Sequence, residues 1–260
     1  MAHRRTRLFT VTLLLLAVGG CVTQTYDGQG NPVSTKEFDP KAAAKSRMQL
    51  GLAYLRSGDS AQAKMNLLKA QEYAPDMPDV YYSLGYYYQS VGETSDAEEA
   101  YRRAISLDPD NGEALNNFGA FLCGIGRYED AIPYFLKAVK AKGYIKIAGA
   151  YENAATCSRL EGNIGKAEQY YASALSHDGR RASSLLGMSE VLYDKADYSG
   201  AKGYLQRFEK VARPNPQSLF LGLKVAKATG DRQGVQQYGE ELISKFPDSP
   251  FSQQYRSNKF

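Results

Sequence analysis

Few side chains in this 260-residue chain could carry out covalent or metal chemistry. There are three cysteines, Cys21, Cys123 and Cys157, and two histidines, His3 and His177. Beyond the first twenty residues one histidine remains, and a zinc site needs four closely placed ligands. No glycine-rich phosphate loop and no Ser-His-Asp set in motif context is present. The carboxylates are scattered, as on solvated helix faces. These residue types argue against an enzyme, and no cofactor, metal or small-molecule substrate is expected.

Cys21 is the exception, because of what precedes it. Arg4, Arg5 and Arg7 make a basic start, Leu8 to Val18 is an apolar run, and Gly19 and Gly20 are small. That order is a secretory signal peptide over residues 1–20, too short to span a bilayer comfortably. Val18-Gly19-Gly20-Cys21 resembles the lipobox of bacterial lipoproteins, in which the cysteine is acylated and becomes the mature N-terminus. Residue 22 is Val, not the Asp that favours inner-membrane retention. The resemblance therefore implies a lipid anchor on Cys21 and a place on the periplasmic face of a Gram-negative outer membrane. Removing three arginines with the signal leaves 29 basic residues against 28 acidic ones. The net charge gives no strong case for nucleic acid or an anionic surface as partner. Residues 21–40 are polar, with Gly, Asn and Pro, and read as a lipidated N-terminus and tether.

The elements that would position any site follow from a period. Gly58, Gly92 and Gly126 are spaced by 34 residues, and Gly162 follows after 36. The slots at 34-residue steps beyond are Ala196 and Gly230. Such a period marks a stack of helical hairpins. Six frames cover 44–77, 78–111, 112–145, 148–181, 182–215 and 216–249 within a repeat domain of 41–249, and 250–260 reads as a cap. Leu50, Gly51, Tyr54, Ala63, Leu67, Ala70 and Pro75 recur as Leu84, Gly85, Tyr88, Ala97, Tyr101, Ala104 and Pro109. This is the tetratricopeptide signature. It predicts an all-α, right-handed superhelix, with Gly51 and Gly85 at helix crossings where backbones approach to about 8–10 Å. The third frame has Gly143 in place of the closing proline. Two extra residues near Lys146 and Ile147 fall between frames three and four.

Cys123 and Cys157 lie on first helices of adjacent repeats, in different slots. Two separate small buried residues are the expectation, and a bridge, which the periplasm permits, is the alternative. His177 falls near a helix end, where a cation suits the dipole.

In the tetratricopeptide family the first helices line a concave groove. By that resemblance Met48, Leu52, Leu55, Tyr82, Tyr86, Asn116, Asn117 and Asn153 face the groove, with Glu152 and Arg159 after them. The groove would start apolar and aromatic, then turn polar. An apolar patch of this kind marks a binding surface. The Asn amides can both donate and accept, as peptide backbone recognition needs. Burial of the first repeat under the tether or its stack neighbours is the competing reading.

Lipobox, polar tether and six repeats together resemble the type IV pilus biogenesis and stability lipoproteins, the family of PilF and PilW. Leu115 to Ala131 (LNNFGAFLCGIGRYEDA) and Ser218 to Arg232 (SLFLGLKVAKATGDR) carry the likeness. It implies a pilotin, which binds secretin subunits in the groove and promotes their outer-membrane localisation and multimerisation. The alternative is a lipoprotein scaffold of the same shape for outer-membrane protein assembly or cell-wall enzymes.

Overall fold

The computed structural model describes residues 38–257. The signal peptide and Cys21 lie outside the described residues, as do most of the tether and the last three positions of the cap. Thirteen α-helices and no strand occur among the described residues. Twelve of them pair as antiparallel hairpins. α1 (Pro40–Arg56) pairs with α2 (Ser60–Tyr73), α3 (Pro78–Val91) with α4 (Thr94–Leu107), and α5 (Gly112–Gly124) with α6 (Tyr128–Lys140). α7 (Ile147–Leu160) pairs with α8 (Ile164–His177), α9 (Ala182–Asp194) with α10 (Tyr198–Glu209), and α11 (Pro216–Ala228) with α12 (Arg232–Lys245). α13 (Pro250–Arg256) closes the stack, a superhelix of tetratricopeptide hairpins. From Pro40 onward the described residues are one compact unit, and all five apolar clusters lie inside it. The unit therefore carries its own core and folds by itself.

The hairpin turns explain the periodic glycine. Gly92 takes φ 81° at the end of α3, the left-handed conformation that ends a helix without a Cβ clash. The fifth hairpin holds Ala196 in the same turn at φ 62°. The second helix then starts on a side-chain cap in four hairpins: Asp59, Asn163, Asp197 and Asp231 each accept a bond from a backbone N–H three residues on.

The crossing glycines are in close contact. A Cβ on Gly85 would lie 2.9 Å from the Tyr101 ring, and one on Gly119 would lie 2.9 Å from the Phe135 ring. Both rings are almost wholly buried. Gly85→Leu is expected to destabilise the unit by about 1–3 kcal/mol through overpacking. A thermal melt checks this, and an unchanged midpoint would count against the crossing.

Later hairpins solve the crossing differently. Ala155 is buried in that slot in the fourth. Ser189 fills it in the fifth and satisfies its buried hydroxyl by donating to the Ala201 carbonyl at 2.7 Å. In the sixth the sizes are reversed, with buried Leu223 in the small slot and Gly239 in the large one. Gly239 lies against Tyr255 of α13, and Gly222 lies against Tyr238.

The two ends differ. At the C-terminal end Phe251 and Tyr255 of α13 cover Leu219, Phe220 and Leu242. At the N-terminal end Leu50 is 42% exposed, although its counterparts Leu84, Phe118, Ala154 and Met188 are buried by a preceding hairpin. Met65 and Leu68 are exposed on α2.

One expectation is overturned. Cys123 and Cys157 are not separate thiols but a disulfide, with Cα atoms 5.8 Å apart. α5 and α7 touch directly, and the two cysteines are one 34-residue period apart, so adjacent hairpins present them to each other.

Candidate functional site: the inner face of the stack

The first helices of successive hairpins meet on one side. α1 touches α3, α5 touches α7, α7 touches α9, and α9 touches α11. They form an inner layer, and each groove residue read from the sequence lies on one of them.

The apolar end is built by α1 and α3. Tyr86 is 47% exposed and Leu52 is half-buried. Met48 and Leu55 are also half-buried, but they pack against the cluster of Ala44, Ala63, Leu67 and Leu84. Tyr82 lies against the cluster that contains Tyr101 and Phe118. Part of this aromatic run is thus core, and the accessible apolar surface narrows to Tyr86, Leu52 and the edges of the other three.

The polar stretch is a ladder across three helices. Asn117 Nδ2 of α5 donates to Tyr82 Oη of α3. Asn116 Nδ2 donates to Asn117 Oδ1 at 3.3 Å, and Asn153 Nδ2 of α7 donates to Asn116 Oδ1 at 3.0 Å. Four of the eight predicted residues are therefore joined by hydrogen bonds, and the α1 residues share none of these bonds. Burial and the Glu113 charge push the Tyr82 phenol above its ordinary pKa, against a smaller opposing effect of the Asn117 bond. The phenol keeps its proton. Tyr82 O–H at one end and Asn153 Oδ1 at the other remain to pair with a partner's amides.

Beyond the ladder the inner layer is charged. Glu152 accepts from Arg181 Nε at 2.6 Å and from the Ser183 and Ser184 hydroxyls at 2.5 and 2.6 Å. Burial alone would raise its pKa, but these bonds and the guanidinium outweigh it and hold the carboxyl below its usual range. Arg159 pairs with Glu190 at 3.4 Å, and Gln217 donates to the same carboxylate. Sequence reasoning placed Glu152 and Arg159 in the groove but missed their partners. The available signal was spacing: Glu152 to Arg181 is 29 residues and Arg159 to Glu190 is 31, each close to one period. His177 is exposed and stacks on Tyr151 with centroids 5.7 Å apart.

Among the described residues no group of three His, Cys, Asp or Glu side chains could hold a metal ion. Among the same residues no helix is long and apolar enough to cross a membrane. What the inner layer offers is a surface about six helices long, graded from apolar to amide to charged, suited to an extended or helical protein segment.

Comparison with known proteins agrees with this architecture. The tetratricopeptide repeat family matches at residues 44–77, 78–111 and 100–132. The type IV pilus assembly protein PilF of Pseudomonas aeruginosa is 34% identical over 249 residues, which cover 95% of this chain and 97% of that protein. The solved structure of Pseudomonas aeruginosa PilF superposes with a TM-score of 0.75 at 32% identity, over 85% of this chain and 99% of that one. PilW, described as a widely conserved type IV pilus biogenesis factor, superposes with a TM-score of 0.74 at 28% identity, over 81% and 97% of the two chains. With a full-length relative at that identity and the same hairpin stack, the chain belongs to the family of the type IV pilus assembly protein PilF.

Proposed function

We propose that this protein acts in type IV pilus biogenesis as a pilotin, a non-enzymatic carrier for secretin subunits. Lipid on Cys21 holds it to the periplasmic face of the outer membrane. The inner face of the repeats takes an unassembled secretin segment, and the anchor delivers that segment to the bilayer where the ring forms. Joining the two raises local concentration without new contacts. The observation that carries this reading is the graded inner face, with Leu52 and Tyr86 accessible beside the Tyr82–Asn117–Asn116–Asn153 ladder. An apolar patch next to the remaining Tyr82 hydroxyl and Asn153 Oδ1 suits a partly apolar segment whose backbone also needs partners. Likeness to PilF over nearly the whole chain supports the pilus context.

Pull-down from detergent-solubilised envelope tests the partner: secretin should co-elute, and its absence would sink the reading. Fractionation tests the anchor. Cys21→Ser is expected to remove the protein from the outer membrane, because one acyl chain gives marginal binding and only several give lasting attachment. Secretin multimers in the outer membrane should fall with it. Normal outer-membrane fractionation of the variant would show that Cys21 is not the anchor.

A further inference from the structure

The net charge conceals an uneven distribution. Residues 40–130 hold 9 basic and 13 acidic side chains, whereas residues 131–217 hold 13 basic and 8 acidic ones. Within the second group, residues 131–151 contain Lys137, Lys140, Lys142 and Lys146 and no acid at all.

The fold places this excess on one edge. Each hairpin is joined to the next along the same edge of the stack. Most connections are four residues long: 74–77, 108–111, 178–181 and 246–249. Two are six residues long, 141–146 and 210–215. The longer pair carry Lys142, Lys146, Lys210 and Arg213, with Lys140 beside them, and contain no acid. Between them the 178–181 connection adds Arg180 and Arg181. A cavity of about 450 Å³ is lined by both Lys146 and Arg181, so the first two of these connections are neighbours. Arg207 Nη2, in the last turn of α10 ahead of the third, donates to the Gly179 carbonyl of the second at 3.3 Å.

The 141–146 connection is held firmly. The Tyr144 ring covers Gly112 so closely that a Cβ there would lie 2.6 Å from it. Lys146 Nζ pairs with Glu113 at 2.9 Å. Between these two anchors Ile145 is 88% exposed, the most exposed large apolar side chain among the described residues. Asp108, Asp110 and Glu113 border the connection on the other side, and Asp178 lies in the next one. Lys137, Lys140 and Lys142 have no carboxylate partner among the described residues.

We infer that this edge rests on an anionic phospholipid surface, with the lysines and arginines at the headgroup phosphates and Ile145 entering the headgroup layer. Positive charge alone would suit any polyanion. An exposed apolar tip with Lys142 and Lys146 on the same connection matches a bilayer interface, where apolar and cationic groups are both satisfied. The inference does not depend on the pilotin reading, since it needs no secretin, although the cavity at this edge is also lined by Asn116 and Asn153 of the ladder.

Flotation with vesicles tests it, using residues 38–260 so that no acyl chain contributes. At low salt the protein should float with phosphatidylcholine vesicles containing phosphatidylglycerol and not with phosphatidylcholine alone. Lys140→Gln/Lys142→Gln should lower the partition coefficient about 25-fold, at about fivefold per lysine. Ile145→Ser should lower it severalfold without changing the melting curve. Lys41→Gln/Lys45→Gln, the same charge change on exposed positions of α1, should leave it within about twofold. Equal loss from that control would reduce the effect to net charge and overturn the inference. So would equal binding to both vesicle types, or no binding to either, as expected if the edge serves an acidic protein instead. Displacement by inorganic phosphate beyond that by chloride at equal ionic strength would mark an ion site rather than a membrane surface, and would overturn it too.

Discussion

A Cys123→Ser/Cys157→Ser variant should melt about 10 °C below the unsubstituted protein. The disulfide closes a loop of 34 residues. The loss of chain entropy in the unfolded state for that length is about 3.7 kcal/mol, and native disulfides in general contribute about 2–5 kcal/mol. For a unit of this size each kcal/mol moves the midpoint by about 2–4 °C. The bond also sits at a junction that lacks an ion pair found at the others. Ion pairs cross the other junctions at similar slots: Lys64 with Glu93, Glu98 with Arg127, Glu168 with Lys195, and Lys202 with Asp231. At the junction between the third and fourth hairpins the corresponding residues are Ile132 and Asn163. Calorimetry with and without reductant checks the expectation. Reductant should shift the disulfide-bonded protein by the same amount and leave the serine variant unmoved. Identical melting of all three would mean that the junction is held without the bond.

On the proposed pilotin reading, Leu52→Ala/Tyr86→Ala should weaken secretin capture about thirtyfold or more while leaving the fold in place. Truncating a contact anchor costs about 2 kcal/mol or more, which is about thirtyfold in affinity. Tyr86 is exposed and Leu52 half-buried, whereas Met48, Leu55 and Tyr82 pack on the core, so the first two are the side chains that can be removed cleanly. The melting midpoint should fall by only a few degrees, chiefly from Leu52. The assay is co-purification from envelope, together with outer-membrane fractionation that should be normal. A folded variant that still captures secretin would move the contact to the amide ladder, for which Asn117→Ala/Asn153→Ala is the next measurement. An unfolded variant would make Leu52 a core residue.

The sequence exposed the parts of this molecule that repeat. Gly85 with Tyr101 and Gly119 with Phe135 were legible because one small and one large residue recur 16 apart, and steric fit at a crossing permits little else. The division of the tyrosines was not legible. Tyr81, Tyr82, Tyr86, Tyr87 and Tyr88 point around α3, and which of them is core depends on the neighbouring hairpins, not on α3 alone. The disulfide was hidden for a related reason. A frame drawn through the two-residue insertion puts Cys123 and Cys157 in different slots, although their 34-residue separation places them on facing turns. The sixth hairpin obscured itself by exchanging sizes between Leu223 and Gly239. The near-neutral sum did not show that the basic connections 141–146 and 210–215 lie on one edge, because that depends on how the hairpins stack.

The unequal ends of the stack make it directional as an object to build on. Leu50 already presents an apolar side chain at the position where Leu84, Phe118, Ala154 and Met188 are buried in the internal hairpins. A hairpin inserted ahead of Pro40 would meet an edge that accepts it, and stability should rise with every unit added, as nearest-neighbour terms do in linear arrays. The other end admits no such addition. Tyr255 occupies the space over Gly239, and Phe251 packs on Phe220 with centroids 5.0 Å apart, so a graft after Lys245 would first have to displace α13. The array can be lengthened from its front and is finished at its back.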